Sequence, residues 1–169
     1  MNSEVKEKIA VIMGSNSDYE FMKNCLDILD KFEVYYEVFV KSAHWGHDDA
    51  AEFAKNLEKN EFDIIIAAAG KASFLPSFIA AYTMIPVIGL VVKGNKEDES
   101  FPSMMGKVPK GVSIGTVINN SSENAALFSI QLCSLKNSDL RKKMITYRNE
   151  MKQKNKLKEV CWKDKKCYE

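Results

Sequence analysis

Residues 63–76 read DIIIAAAGKASFLP, and this stretch decides the fold. Ile64, Ile65 and Ile66 are continuous rather than alternating with polar residues, as in a strand covered on both faces. Three alanines and Gly70 end the run, and Pro76 suits the first turn of a following helix. Pro86–Val92 repeats the pattern around Val87 and Ile88. Working outward, apolar runs at Ile9–Met13 and Tyr35–Val40 precede it, and Val112–Val117 follows. Phe21, Cys25, Ile28, Leu29 and Phe32 recur at helical spacing, as do Ala50, Phe53, Ala54 and Leu57. Strands alternating with helices predict parallel βαβ units in a three-layer α/β/α sandwich. Right-handed crossovers put every strand C-terminus on one edge, and ligands bind at that edge. Loops 14–18, 41–48, 70–76 and 93–106 are therefore the places to look for a site.

The chain has 169 residues, 46% of them hydrophobic and 28% charged, enough for one globular domain that needs no disulfide or metal to hold its core. No apolar run approaches the roughly 18 residues of a membrane span. The charged start, MNSEVKEK, leads straight into a strand and lacks the features of a signal peptide. The expected compartment is the cytoplasm, with Cys25, Cys133, Cys161 and Cys167 reduced. No C-x-x-C pair occurs and the chain has 2 histidines, so no metal site is expected.

The pattern predicts a single α/β domain over 1–151 and a basic, mobile extension over 152–169. Asn124–Leu135 is strongly apolar and should be largely buried. Ser138 is placed to cap a last helix carrying Leu140, Met144, Ile145 and Tyr147. A helix that outruns its own core points to a contact with a neighbouring subunit. Residues 141–169 hold 11 Lys+Arg against 4 Asp+Glu, or +7; the rest holds 13 against 19, or −6. A solvated helix explains this excess better than nucleic-acid binding does. Arg141 and Arg148 are the only arginines, so an anion site in the body must use lysine, hydroxyls or backbone N–H groups.

Three segments have the residue types for chemistry. In Gly14-Ser15-Asn16-Ser17-Asp18 the glycine permits a tight turn, and Ser15, Ser17 and the first helical N–H groups suit a phosphate. Asp18 fits a helix cap or an acceptor for sugar hydroxyls; an ordinary capped turn reads equally well. Lys41-Ser42-Ala43-His44-Trp45-Gly46-His47-Asp48 holds both histidines. Its His44 suits a proton shuttle, while His47 reads as a surface or capping residue. In Ala69-Gly70-Lys71-Ala72-Ser73-Phe74-Leu75-Pro76, small residues let a flat ligand approach the backbone, and they serve helix packing equally.

In this order the loops resemble the 5-(carboxyamino)imidazole ribonucleotide mutase family of purine biosynthesis, whose members are also known as the catalytic subunit of phosphoribosylaminoimidazole carboxylase. The similar stretches are VIMGSNSD at 11–18, SAH at 42–44, AAAGKASFLP at 67–76, PVIG at 86–89, VPKGVSIGTV at 108–117 and NAAL at 124–127. The resemblance implies a flavodoxin-like sheet, a homo-octamer with sites built from more than one subunit, and neither metal nor organic cofactor. It implies an enzyme, a mutase (isomerase) or carboxylase (lyase), whose substrates are a ribonucleotide and carbon dioxide. It puts the proton-moving histidine at His44. Ser15, Ser17 and Asp18 match the ribose-phosphate loop, and Ser42 and the backbone of 69–72, with Ala69 and Gly70, match the walls around the base and carboxylate; Gly14, Trp45, Lys71 and Leu75 complete the expected substrate-binding set. Relatives usually continue SAH with Arg-Thr-Pro, where this chain has Trp45-Gly46-His47. Lys71, Phe74 and Ser77 replace a Gly, a His and a Gly. Lys41 or Lys71 would then have to stand in for the missing phosphate-binding arginine. The alternatives are a paralogue moving a carboxyl group on a different small heterocycle, and a non-catalytic small-molecule-binding homologue.

Overall fold

A computed structural model of the chain describes residues 7–41, 47–70, 74–92, 108–117 and 121–164. The strands are β1 (Lys8–Met13), β2 (Tyr35–Val40), β3 (Ile64–Ala69), β4 (Val87–Val91) and β5 (Gly115–Val117), and all four pairings between them are parallel. Their order is β2-β1-β3-β4-β5, the doubly wound order of flavodoxin-like sheets. The helices are α1 (Tyr19–Lys31), α2 (His47–Lys59), α3 (Leu75–Ala80), α4 (Ser122–Cys133) and α5 (Ser138–Asp164). A 3-10 turn, Asn16–Asp18, leads into α1.

The continuous apolar strands divide their residues between two cores. Ile9, Val11, Met13, Ile64, Ile66 and Ala68 pack with α1, α4 and α5. Ala10, Ile12, Ile65, Ala67 and Ala69 face α2 and α3, where Ala54, Leu57, Leu75 and Ile79 are buried. All six residues of β3 are buried, as its position inside the sheet requires. Strand β2, at an edge, leaves Tyr35, Val38 and Val40 exposed.

Register sets the site. Met13 is opposite Val40 on one side and Ala68 on the other, and Ala69 is opposite Val91. The ladders continue one step, with Lys41 N–H donating to Met13 O at 2.8 Å and Val92 N–H donating to Ala69 O at 2.9 Å. Strands β1 to β4 therefore end at one level.

Four local expectations are corrected. The fifth apolar run begins as a turn, with Gly111 at φ 99° and Val112 N–H bonded to Pro109 O, so β5 is only Gly115–Val117. Asn137, not Ser138, caps α5: its Oδ1 accepts from the N–H groups of Asp139 and Leu140, both at 3.0 Å. The apolar segment 124–135 buries Ala125, Ala126, Ser129, Ile130 and Cys133 but leaves Phe128 40% and Leu135 72% exposed. Ser15, not Asp18, provides the side-chain cap of the turn before α1. Helix α5 also continues through 152–164, within the basic segment.

Two helices stop in the same way. Val34 N–H reaches Leu29 O at 3.1 Å, and Phe62 N–H reaches Leu57 O at 3.3 Å, the six-residue closure of a Schellman motif. The left-handed position is filled by Glu33 (φ 59°) and Glu61 (φ 58°) rather than glycine. Lys143 of α5 pairs with Glu33 and donates to Phe32 O at 3.4 Å. On the other face, Glu58 Oε1 accepts from Thr83 Oγ1 at 2.8 Å and from Met84 N–H, tying α2 to the turn before β4.

A non-glycine residue in the left-handed region costs about 1–2 kcal/mol, part of which glycine returns as unfolded-state entropy. Glu61→Gly should therefore stabilise the fold by about 0.5–1 kcal/mol, read as a higher urea midpoint at unchanged slope.

Candidate active site

The doubly wound order reverses between β1 and β3, and the edge beyond the strand C-termini at that reversal is where sheets of this kind take a ligand. From β1 the chain reaches that edge through Gly14. Ser15 is extended (φ −152°, ψ 154°), and the short turn that follows points its side chains back on themselves. Ser15 N–H donates to Asp18 Oδ2 at 3.1 Å. Ser15 Oγ accepts twice, from Ser17 N–H at 3.3 Å and from Ser17 Oγ at 3.0 Å, which leaves its own O–H to donate. Ser15, Asn16 and Ser17 are exposed, so two clustered hydroxyls beside a βα turn are available to an anion.

Asp18 is only 8% exposed. Burial pushes its carboxyl above the usual carboxylate range, although N–H groups of Ser15 and Gly14 pull the other way. Its two oxygens face the two loops. A Cβ on Gly14 would lie 3.7 Å from Oδ2, 3.9 Å from Ala68 O and 3.9 Å from Leu75 Cδ2. A Cβ on Gly70 would lie 4.0 Å from Oδ1 and near no other described atom. Neither glycine has a positive φ, and a Cβ on Gly14 would meet only ordinary van der Waals contacts, so the special turn conformation expected of Gly14 is not found. Asp18 thus lies between the loop after β1 and Gly70 at the end of β3, with Oδ2 toward Gly14 and Oδ1 toward Gly70.

The structure brings together Gly14, Ser15, Ser17, Asp18, Ala69, Gly70 and Leu75. Ala69 is buried at the end of β3, and Leu75 is fully buried at the start of α3. Ser42, His44, Trp45 and Lys71 lie outside the described residues. Lys41, expected as a substitute phosphate cation, holds its ammonium 5.2 Å from the centre of the Phe53 ring on α2. Burial pushes the thiols of Cys25 and Cys133 up to about 12, so neither is a nucleophile near neutral pH. Among the described residues no group of three or more His, Cys, Asp or Glu is arranged to hold a metal ion, and no helix is long and apolar enough to cross a membrane. What sequence reasoning passed over is the role of Leu75 as a wall of the Gly14 loop. Its apolar type signals only burial, and the two positions are distant in the chain.

A family model described as AIR carboxylase matches residues 8–154. The N5-carboxyaminoimidazole ribonucleotide mutase of Pyrococcus abyssi is 39% identical over 147 residues, 86% of this chain and 84% of that protein. The mutase of Pyrococcus horikoshii is 36% identical over 169 residues, 96% of this chain and 94% of its own. The phosphoribosylaminoimidazole carboxylase of Schizosaccharomyces pombe is 36% identical over 163 residues, which are 92% of this chain but 29% of that longer protein. The crystal structure of Treponema denticola PurE superposes with a TM-score of 0.83 at 21% identity, covering 94% of this chain and 98% of its own; it has the same fold.

A carboxyl raised in the folded state favours folding below its unfolded value, near 4, and costs stability as pH rises through the folded value. Asp18→Asn keeps an acceptor for Ser15 N–H and removes the buried charge. It should match the wild type in urea midpoint at pH 4 and equal or exceed it at pH 7, while weakening binding of the substrate.

Proposed function

The chain belongs to the AIR carboxylase family, and we propose that it transfers a carboxyl group on aminoimidazole ribonucleotide in purine biosynthesis, as an N5-carboxyaminoimidazole ribonucleotide mutase. The observation that carries this reading is the meeting of the loops after β1 and β3, where Asp18 lies between Gly14 and Gly70 beside the exposed Ser15–Ser17 turn. The mutase is favoured over the direct carboxylase because the chain spans 84–94% of two mutase relatives but 29% of the carboxylase named above.

The chemistry follows from the parts. Ser15 holds the phosphate with its O–H, and Ser17 joins it by turning its own O–H away from Ser15 Oγ. Asp18 Oδ1, reached across Gly70, accepts from the ribose hydroxyls. The carbamate on the exocyclic amine loses carbon dioxide, and the nitrogen takes a proton as the C–N bond breaks. The imidazole carbon then attacks the trapped carbon dioxide and gives up its own proton. One proton leaves carbon and one reaches nitrogen, so a single acid–base group can serve both halves. We assign that group to His44, on the segment joining the end of β2 to the start of α2, with Ser42, Trp45, Ala69, Gly70, Lys71 and Leu75 around the base and carboxylate. Water must be excluded while carbon dioxide is free, and the buried side chains of Ala69 and Leu75 supply apolar wall for that.

The same reading gives a cytoplasmic homo-octamer. The assembly is supported by Phe128, Leu135, Ile145 and Met151, exposed by 40%, 72%, 55% and 43%, on α4, α5 and the turn between them. Apolar side chains so exposed on adjacent helices suit subunit contacts.

Two measurements test it. His44→Asn should leave the far-ultraviolet spectrum and the assembly unchanged and lower turnover of the carboxylated ribonucleotide at least about 100-fold; near-normal turnover removes His44 from the mechanism. Light scattering should show an octamer, and a stable species near the 19.1 kDa chain mass refutes the assembly.

A further inference from the structure

We propose that the ring of Phe74 is the stacking platform for the imidazole base, and so a positioning residue that sets preference for the base rather than for the ribose phosphate. The inference rests on the mutase reading above and deepens it.

Phe74 is 57% exposed, more than any other aromatic residue among those described. Leaving a phenyl ring in water forfeits much of what its burial would contribute, so a ligand that covers this ring gains that contribution on binding. Its backbone is fixed at φ −86°, ψ 10°, immediately before α3, and its carbonyl accepts from Phe78 N–H at 2.8 Å and from Ser77 Oγ at 2.9 Å. The ring has no aromatic or cationic partner among the described residues. Phe78, one helical turn on, pairs instead with Tyr82 at 4.9 Å. The next residue, Leu75, is fully buried, and its Cδ2 is one of the three atoms that would surround a Cβ on Gly14. Phe74 is therefore next in the chain to a side chain that packs against the Gly14 loop, on the segment that joins β3 to α3.

The division of labour follows from chemistry. The hydroxyls of Ser15 and Ser17 and the carboxylate of Asp18 serve the polar half of a ribonucleotide. The imidazole has two apolar π-faces that none of these groups can hold. A fixed, exposed phenyl next to Leu75 supplies a face without adding charge. Truncating an aromatic ring under a stacked base typically costs about 5- to 150-fold in affinity.

The test compares Phe74→Ala, Phe74→Leu and Phe74→Tyr in the full-length protein. Phe74→Ala should raise KM for the carboxylated ribonucleotide about 10-fold or more and leave kcat within about threefold. Phe74→Tyr should restore KM, and Phe74→Leu, apolar but without a π-face, should not. Binding of ribose 5-phosphate, followed by calorimetry, should be the same in all four proteins. Unchanged KM in Phe74→Ala overturns the proposal, as does full rescue by leucine. A shift in oligomeric state with unchanged KM overturns it too, by assigning the ring to a subunit contact. An inactive wild type instead refutes the mutase reading and this inference with it, whereas an active wild type with an unaffected Phe74→Ala refutes the inference alone.

Discussion

Met13 is hydrogen-bonded into two ladders at once, level with Val40 on one side and Ala68 on the other. The rest of the site depends on that register. Because β1 to β4 stop together, the loops that leave them start at one height, and side chains as short as aspartate can reach from one to the next. A slip by one residue would turn Ile9, Val11 and Met13 toward the wrong helix layer and misplace the loops. The continuous burial of β3 forbids such a slip, since both faces of that strand are already committed. Asp18 exploits the fixed geometry. It is a buried carboxyl held by the N–H of Ser15, with its other oxygen toward Gly70. Stability is given up there for a preorganised acceptor, as is common where structure serves chemistry.

Much of this was legible in the sequence, for identifiable reasons. Strands buried on both faces leave an unbroken apolar record, so the runs in β1, β3 and β4 and the sandwich could be read directly. Gly14, Ser15, Ser17, Asp18, Ala69 and Gly70 could be placed at one sheet edge because they directly follow or end apolar strand runs, while Leu75 read only as a buried residue of the next helix. The start of β5 was not legible, because Val112 and Ile114 look like strand while Gly111 and Pro109 hold them in a turn. The capping of α5 was missed by one position, since Asn137 and Ser138 are both good caps and only geometry selects between them. The left-handed glutamates left no trace at all, because glutamate is a helix former whose conformation there is imposed by the bonds that close the turn. Phe74 was visible only as a departure from related sequences; an aromatic beside Leu75 reads as core, and nothing local reveals that one is buried and the other bare. The proton-moving assignment to His44 comes from resemblance and loop chemistry, and that residue lies outside the described part of the chain.

The two helix layers are secured differently. On one face α1, α4 and α5 bury a large shared core, and Lys143 anchors the long last helix to the end of α1. On the other, α2 packs beside α3, a short helix of 6 residues that follows directly on the loop after β3.

The tie between Glu58 and the turn at Thr83 and Met84 then acquires a kinetic meaning. The carboxylate accepts a backbone and a hydroxyl hydrogen from the segment that follows α3, and those bonds hold its pKa below the ordinary value. The contribution is present above the unfolded value, near 4.3, and lost as pH falls through the lowered one. Within that acid window α3 loses a fastening while the opposite layer keeps its core. The amide proton of Met84 becomes a clock for this event. Its exchange with solvent deuterium times the lifting of one corner of the molecule, separately from global unfolding.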